Sequence, residues 1–150
     1  MNPTAPATRA DWHARLFPRG IPPLWCPLLT HYRDDGSLDR ARGTAHLRHL
    51  APHVGGFLIP GSTGDGWEMS DAEIRELLGF IAPEIQRLGL HLLVGVLKTD
   101  ATEAQRIVRE TAAALRDNAV GFTVCPPKGK DLSQEVRSEE HTSELQSRFG

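Results

Sequence analysis

The chain has 150 residues, is 39% apolar and 24% charged, and carries a formal net charge of -2. These values are typical of one soluble globular domain with one core. They provide no basic surplus for binding nucleic acid and no apolar run long enough to span a bilayer, so we expect neither kind of partner. Residues 1–19 are predicted to form an N-terminal arm. Its first ten residues are polar and lack the apolar core of a secretory signal, which predicts a cytoplasmic location.

The first half of the chain alternates between helix and strand signals. A short helix is predicted over 12–17 and an apolar strand over 23–29. Ser37 is expected to cap the next helix, which ends at Pro52. A second strand over 57–59 then leads into the sequence Gly61-Ser62-Thr63-Gly64-Asp65-Gly66.

The second half repeats this pattern more clearly. Ser70 and Glu73 form a capping box, and the helix that follows has apolar residues at helical spacing on one face. A third strand is predicted over 90–97, a helix over 100–118 and a fourth strand over 119–125. The order therefore predicts an α/β fold of parallel strands joined by helical crossovers.

Two architectures fit this order, an open doubly wound sheet and part of a (β/α)₈ barrel, and both place functional residues at the carboxyl ends of the strands. The turn at 61–66 lies at such an end, as do the segments 30–32, 98–99 and 126–128. The turn offers backbone N–H groups and two small hydroxyls at one point, an arrangement suited to a bound carboxylate or phosphate.

Four motifs resemble, in order and spacing, the dihydrodipicolinate synthase / N-acetylneuraminate lyase family. The turn Gly61-Ser62-Thr63-Gly64-Asp65 is similar to the family's Gly-Thr-Thr-Gly-Glu signature. The other three are Cys26-Pro27-Leu28 with 35–39, the helix start at 69–73, and Gly95-Val96 with 101–104. The resemblance runs from about Gly20 to Val136.

The resemblance implies the N-terminal half of a TIM barrel over 20–136, with about four parallel strands and three crossover helices. Members are class I aldolases and lyases, in which a lysine on the sixth strand forms a Schiff base with pyruvate or a related 2-keto acid. The family implies a homo-oligomeric parent and no cofactor. By the same resemblance, Ser62 is the proton-relay hydroxyl, and Gly61, Thr63 and Gly64 bind the substrate carboxylate.

The chain also departs from the family pattern. Asp65 is one methylene shorter than the family's glutamate, and no tyrosine follows the fourth strand, since Tyr32 is the single tyrosine of the chain. The catalytic lysine is absent, so we expect a fragment of a lyase that is inactive as given. The alternative is a non-catalytic α/β module that binds a small carboxylate or phosphate at 61–65.

The last residues resemble no part of the family. Residues 137–147 read Arg-Ser-Glu-Glu-His-Thr-Ser-Glu-Leu-Gln-Ser, which is identical to a translated short-read sequencing adapter. We therefore expect residues 137–150 to be a non-native tail and the natural protein to continue past about Val136.

Histidine and lysine side chains provide two weaker candidates. His46, His49 and His53 share one face if their helix persists, but no carboxylate or cysteine completes a metal site, so a solvated face and no metal are predicted. Lys98 follows the third strand, where it is either a Schiff-base lysine or a polar residue at the rim.

Cysteine and tryptophan side chains favour packing roles. Cys26 and Cys125 lie far apart in apolar runs, which predicts buried free thiols. Trp25 and Trp67 are expected to flank the mouth of the site and to pack in the core or at an interface.

Overall fold

A computed structural model describes residues 8–18, 20–115 and 120–125. Of these, the residues up to Ile21 belong to a first unit, and those from Pro22 to Cys125 belong to a second. The first contains helix α1; the second contains all four strands and the other helices. In chain order the elements are α1 (Arg9–Leu16), β1 (Trp25–Pro27), α2 (Arg40–Leu50), a 3-10 turn (Ala51–His53), β2 (Gly56–Leu58), a second 3-10 turn (Ser62–Gly64), α3 (Asp71–Arg87), β3 (His91–Val96), α4 (Ala101–Ala114) and β4 (Val120–Val124).

The four strands form one parallel sheet in the order β1-β2-β3-β4. Cys26 pairs with Phe57, Phe57 with Leu92, and Leu92 with Val120. Each strand pairs with the next one along the chain, whereas a doubly wound sheet reverses its strand order. The α/β fold is therefore a segment of a (β/α) barrel, which decides between the two architectures that the sequence left open.

Two helices begin at residues other than those predicted. Helix α1 begins at Arg9, because Thr8 and Asp11 form a capping box ahead of the predicted start. Helix α2 is capped by Asp39, whose carboxylate accepts the amide of Arg42 at 3.0 Å. The predicted cap, Ser37, instead donates its hydroxyl to Asp35 at 2.6 Å within the preceding turn. Local turn bonds compete with capping in this way.

Helix α3 begins as predicted, with Ser70 and Glu73 in a capping box. Its apolar face joins the sheet in the main core, and Phe57, Leu47 and Ile81 are completely buried there. Each such side chain contributes about 1.5–3 kcal/mol relative to an exposed position. Pro83 lies inside this helix, where it is exposed on the side away from the core.

The position of Trp25 in the sheet differs from the predicted one. Trp25 begins β1, pairs with Gly56, and its indole N–H donates to the Pro22 carbonyl at 3.0 Å. It thus lies at the amino end of the sheet, and the expectation that it flanks the mouth of the site is wrong.

No helix within the described part of the chain is both long enough and apolar enough to cross a membrane. The predicted helix end at Asn118, the segment 126–128 and the tail from Arg137 lie outside the described residues.

Candidate functional site

The residues 61–66, called the glycine turn below, follow β2 at the carboxyl end of the sheet. The carbonyl of Gly61 accepts the amides of both Gly64 and Gly66 at 3.0 Å. These three glycines are buried, whereas Ser62 and Thr63 are exposed. The turn therefore presents two hydroxyls to solvent on a frame of buried backbone.

Close packing explains the glycines of this frame. A Cβ on Gly64 would lie against the carbonyl oxygen of Leu28, and one on Gly66 would lie 2.9 Å from the carbonyl oxygen of Gly61. In β3, a Cβ on Gly95 would meet the carbonyl oxygen of Pro60. Real Cβ atoms do not approach an oxygen so closely, so the turn can sit this near its neighbours only without side chains at these positions.

The segment after β1 contacts the glycine turn through two side chains. The Thr30 hydroxyl donates to the Gly64 carbonyl at 2.7 Å. The Tyr32 phenol lies close to the carboxylate of Asp65, the residue that ends the 3-10 turn in the left-handed region at φ +60°. The structure thus brings 30–32 and 61–66 together at one edge of the sheet, as the strand order predicted.

The electrostatics of this contact keep Tyr32 protonated. Partial burial raises the pKa of Tyr32, and the negative charges of Asp65 and Glu73 raise it further. A phenol with a raised pKa is a hydrogen-bond donor across the physiological range, so Tyr32 can donate to the carboxylate.

Lys98 follows β3 and is held by two carboxylates. Its Nζ lies 3.3 Å from Asp71 and 3.2 Å from Glu103. Burial lowers the pKa of Lys98, but the bonds to Glu103 and Asp71 outweigh burial and raise it overall. A Schiff-base lysine must reach its neutral form readily, so these ion pairs favour the predicted role as a polar residue at the rim.

The histidines are arranged differently from the predicted face. Helix α2 ends at Leu50, so His53 lies in the following 3-10 turn. His46 instead meets His31, with Nδ1 and Nε2 3.0 Å apart. Burial lowers the pKa of His46, and the charges of His31 and His49 lower it further. Within the described ranges, no three His, Cys, Asp or Glu side chains are grouped as a metal site requires.

Cys26 and Cys125 are free thiols and are half-buried rather than fully buried. Trp67, directly after the glycine turn, is 39% exposed. The sequence did not predict the Tyr32–Asp65 and His31–His46 contacts, which join residues far apart in the chain. The available signal was that 30–32 and 61–66 follow consecutive parallel strands.

One curated protein is similar to this chain in sequence. The chain is 30% identical over 124 residues to an uncharacterized DapA-like lyase from Rhizobium meliloti, a match that covers 82% of this chain and 37% of that relative. The chain therefore spans little more than a third of the curated relative. No family model matches it.

Solved structures share the fold. YagE, a dihydrodipicolinic acid synthase family protein from E. coli K12 in complex with pyruvate, has a TM-score of 0.70 at 22% identity, covering 82% of this chain and 40% of that one. An N-acetylneuraminate lyase from Mycoplasma synoviae has a TM-score of 0.64 at 19% identity, covering 84% and 42%. The predicted resemblance to the dihydrodipicolinate synthase / N-acetylneuraminate lyase family is confirmed, and the fold of this chain matches the N-terminal half of the barrels in these structures.

Proposed function

We propose that the chain is part of a Schiff-base-forming lyase or aldolase that acts on pyruvate or a related 2-keto acid, and that the glycine turn binds the substrate's carboxylate. The observation that carries the proposal is the pair of exposed hydroxyls, Ser62 and Thr63, at the start of a turn whose glycines are buried. The curated relative is a lyase, and the YagE structure contains pyruvate.

The chemistry of the turn fits a carboxylate. The first amides of a helical turn have no partner within that turn, so those of Ser62 and Thr63 are available to an anion. With the Thr63 hydroxyl they can donate to both carboxylate oxygens, and a charge-assisted hydrogen bond contributes about 1.5–3 kcal/mol. Gly61 and Gly64 keep the backbone close enough for these donors to converge. We assign substrate binding to Gly61, Thr63 and Gly64 on this basis.

In the proposed reaction, a lysine amine adds to the keto carbon and water leaves, which forms an iminium. The iminium accepts the electron pair of the adjacent bond that breaks, or stabilises the carbanion that forms a new bond. The Ser62 hydroxyl lies beside the carboxylate subsite and carries the proton to or from the reacting oxygen. A hydroxyl can do this because it both donates and accepts a hydrogen bond.

We further propose that the reacting lysine belongs to a later strand of the natural protein and that residues 137–150 are not native. We also propose that the natural protein is a homo-oligomer located in the cytoplasm. Lys98 is engaged by Asp71 and Glu103, and Lys128 and Lys130 lie outside the described residues. The 150-residue chain is then inactive although its glycine turn is formed.

Binding variants test the site. Thr63→Val should weaken the affinity for pyruvate about tenfold, which corresponds to one charge-assisted hydrogen bond. Thr102→Val is the matched control, because Thr102 is an exposed threonine on α4, outside the glycine turn. Equal pyruvate affinity in Thr63→Val and the control would refute the carboxylate site. Phosphate that competes with pyruvate at equal concentration would instead favour the non-catalytic anion-binding module.

Trapping tests the proposed inactivity. Borohydride reduction in the presence of pyruvate should leave the mass of the chain unchanged, because Lys98 stays charged. A reduced pyruvyl adduct on Lys98 would overturn the assignment of the Schiff base to a later strand. Long-read sequencing of the locus then shows whether a lysine codon follows in the natural reading frame.

A further inference from the structure

We propose that Tyr32 and Thr30 are positioning residues for the anion-binding turn: they fasten the segment after β1, called the strap (Thr30–Tyr32) below, onto the last residues of the glycine turn. The proposal rests on the function proposed above for the turn. It adds a phenol that comes from the segment after β1, in a chain that has no tyrosine after β4.

Thr30 provides the first fastening. Its hydroxyl donates to the Gly64 carbonyl at 2.7 Å, across 34 positions of sequence. The backbone of Gly64 also lies close to the backbone of Leu28, because no side chain at Gly64 could fit beside the Leu28 carbonyl. The end of β1 and the end of the 3-10 turn are therefore interlocked, and neither can shift without the other.

Tyr32 provides the second fastening. Its phenol lies beside the carboxylate of Asp65, to which its hydroxyl can donate, and Asp65 takes a left-handed backbone conformation at φ +60°. For a residue other than glycine this conformation is unfavourable by about 1–2 kcal/mol, though less for aspartate. A side-chain bond from a neighbouring segment helps to hold such a residue in place. Tyr32 thereby holds the residue at which the chain leaves the turn.

The strap also contacts residues outside the glycine turn. Side chains alternate along it, so that Thr30 and Tyr32 contact the turn while His31 contacts His46 of α2 at 3.0 Å. The His31 carbonyl also accepts the amide of Asp39 at 2.7 Å, and Tyr32 forms an antiparallel bridge with Leu38. A strap with these anchors is a rigid support rather than a free loop.

Rigid support matters because donors that are already aligned bind an anion without an ordering cost. The amides of Gly64 and Gly66, which both donate to the Gly61 carbonyl, report this order directly. When the strap is released, these bonds open more often and the neighbouring amides of Ser62 and Thr63 lose their alignment.

The single tyrosine makes one test specific, because absorbance at 295 nm reports the ionisation of Tyr32 alone. The wild-type midpoint should lie above 10, and Asp65→Asn should move it to lower pH. In parallel, Tyr32→Phe should accelerate hydrogen exchange of the Gly64 and Gly66 amides about tenfold while the far-ultraviolet circular dichroism is unchanged. Ser37→Ala is the control, because Ser37 bonds only to the adjacent turn at Asp35 and Arg33.

The outcomes separate this proposal from the proposed function, since neither measurement needs a ligand. An unchanged tyrosine titration in Asp65→Asn, or unchanged exchange in Tyr32→Phe, overturns the positioning role even if pyruvate binds. Shifted titration and faster exchange support it even if pyruvate does not bind. For pyruvate itself, Tyr32→Phe and Thr30→Val should weaken binding about tenfold, while Thr30→Ser, which keeps the hydroxyl, should retain it.

Discussion

The packing of the glycine turn makes a sharp prediction for Gly64→Ala. The new Cβ would lie against the Leu28 carbonyl oxygen and 3.2 Å from the Thr30 hydroxyl. Both neighbours are held, Leu28 by the bond from its amide to the Leu58 carbonyl and Thr30 by its bond to the turn, so the backbone must move. Overpacking of this kind destabilises a fold by about 1–3 kcal/mol.

The same substitution at Gly79 is the matched control. Gly79 lies inside α3, is exposed, and has nothing within 4 Å of where a Cβ would stand. Alanine there should stabilise the chain by about 0.5–1 kcal/mol, because glycine is unfavourable in a helix interior. In urea unfolding followed by circular dichroism, the two midpoints should move in opposite directions, with Gly64→Ala lower by about 1 M. A Gly64→Ala midpoint at or above that of wild type would refute the packing argument.

Three other expectations concern stability. Ser70→Ala, which breaks the capping box of α3, should cost about 1 kcal/mol in urea unfolding, and Ser70→Thr should restore most of it. Hydrogen bonds from Arg87 and Arg48 lower the pKa of Glu84 to about 2, below its ordinary 4.5. The resulting stability is complete above pH 4.5 and is lost as pH falls through about 2, and Glu84→Gln should remove this dependence from the urea midpoints. The lowered pKa of His46 has the same sign: stability should fall as pH drops below 6.5 and the unfolded state takes up a proton first, a loss that His46→Gln should abolish.

The sequence predicted a helix or strand well where the interactions that form it join residues close together in the chain. The Ser70–Glu73 box and the periodic apolar face that follows it lie within a few turns of one helix, so the sequence contains both. The choice between Ser37 and Asp39 as the cap of α2 was different, because both side chains can cap a helix. The structure uses Ser37 for the Asp35 turn and buries Leu38 in the core, which leaves Asp39 for the cap.

At the site, the contacts that the sequence could not predict join residues far apart in the chain. The sequence placed 61–64 on one turn, since strand, glycines and hydroxyls are adjacent. It did not show that Tyr32 reaches Asp65 or that His31 reaches His46, because those distances depend on how β1 sits beside β2 and α2. Trp25 was misplaced for a related reason: only the observed register puts it at the start of its strand, opposite Gly56.

The most direct test of the central claim is a titration of the ¹⁵N-labelled chain with pyruvate, followed amide by amide. If the glycine turn binds the carboxylate, we expect saturable shifts at the Ser62 and Thr63 amides, with smaller changes at Gly61 and Gly64 and none on the outer face of α4. Saturable shifts that leave the glycine turn unchanged, or no saturable shift at all, would contradict the claim.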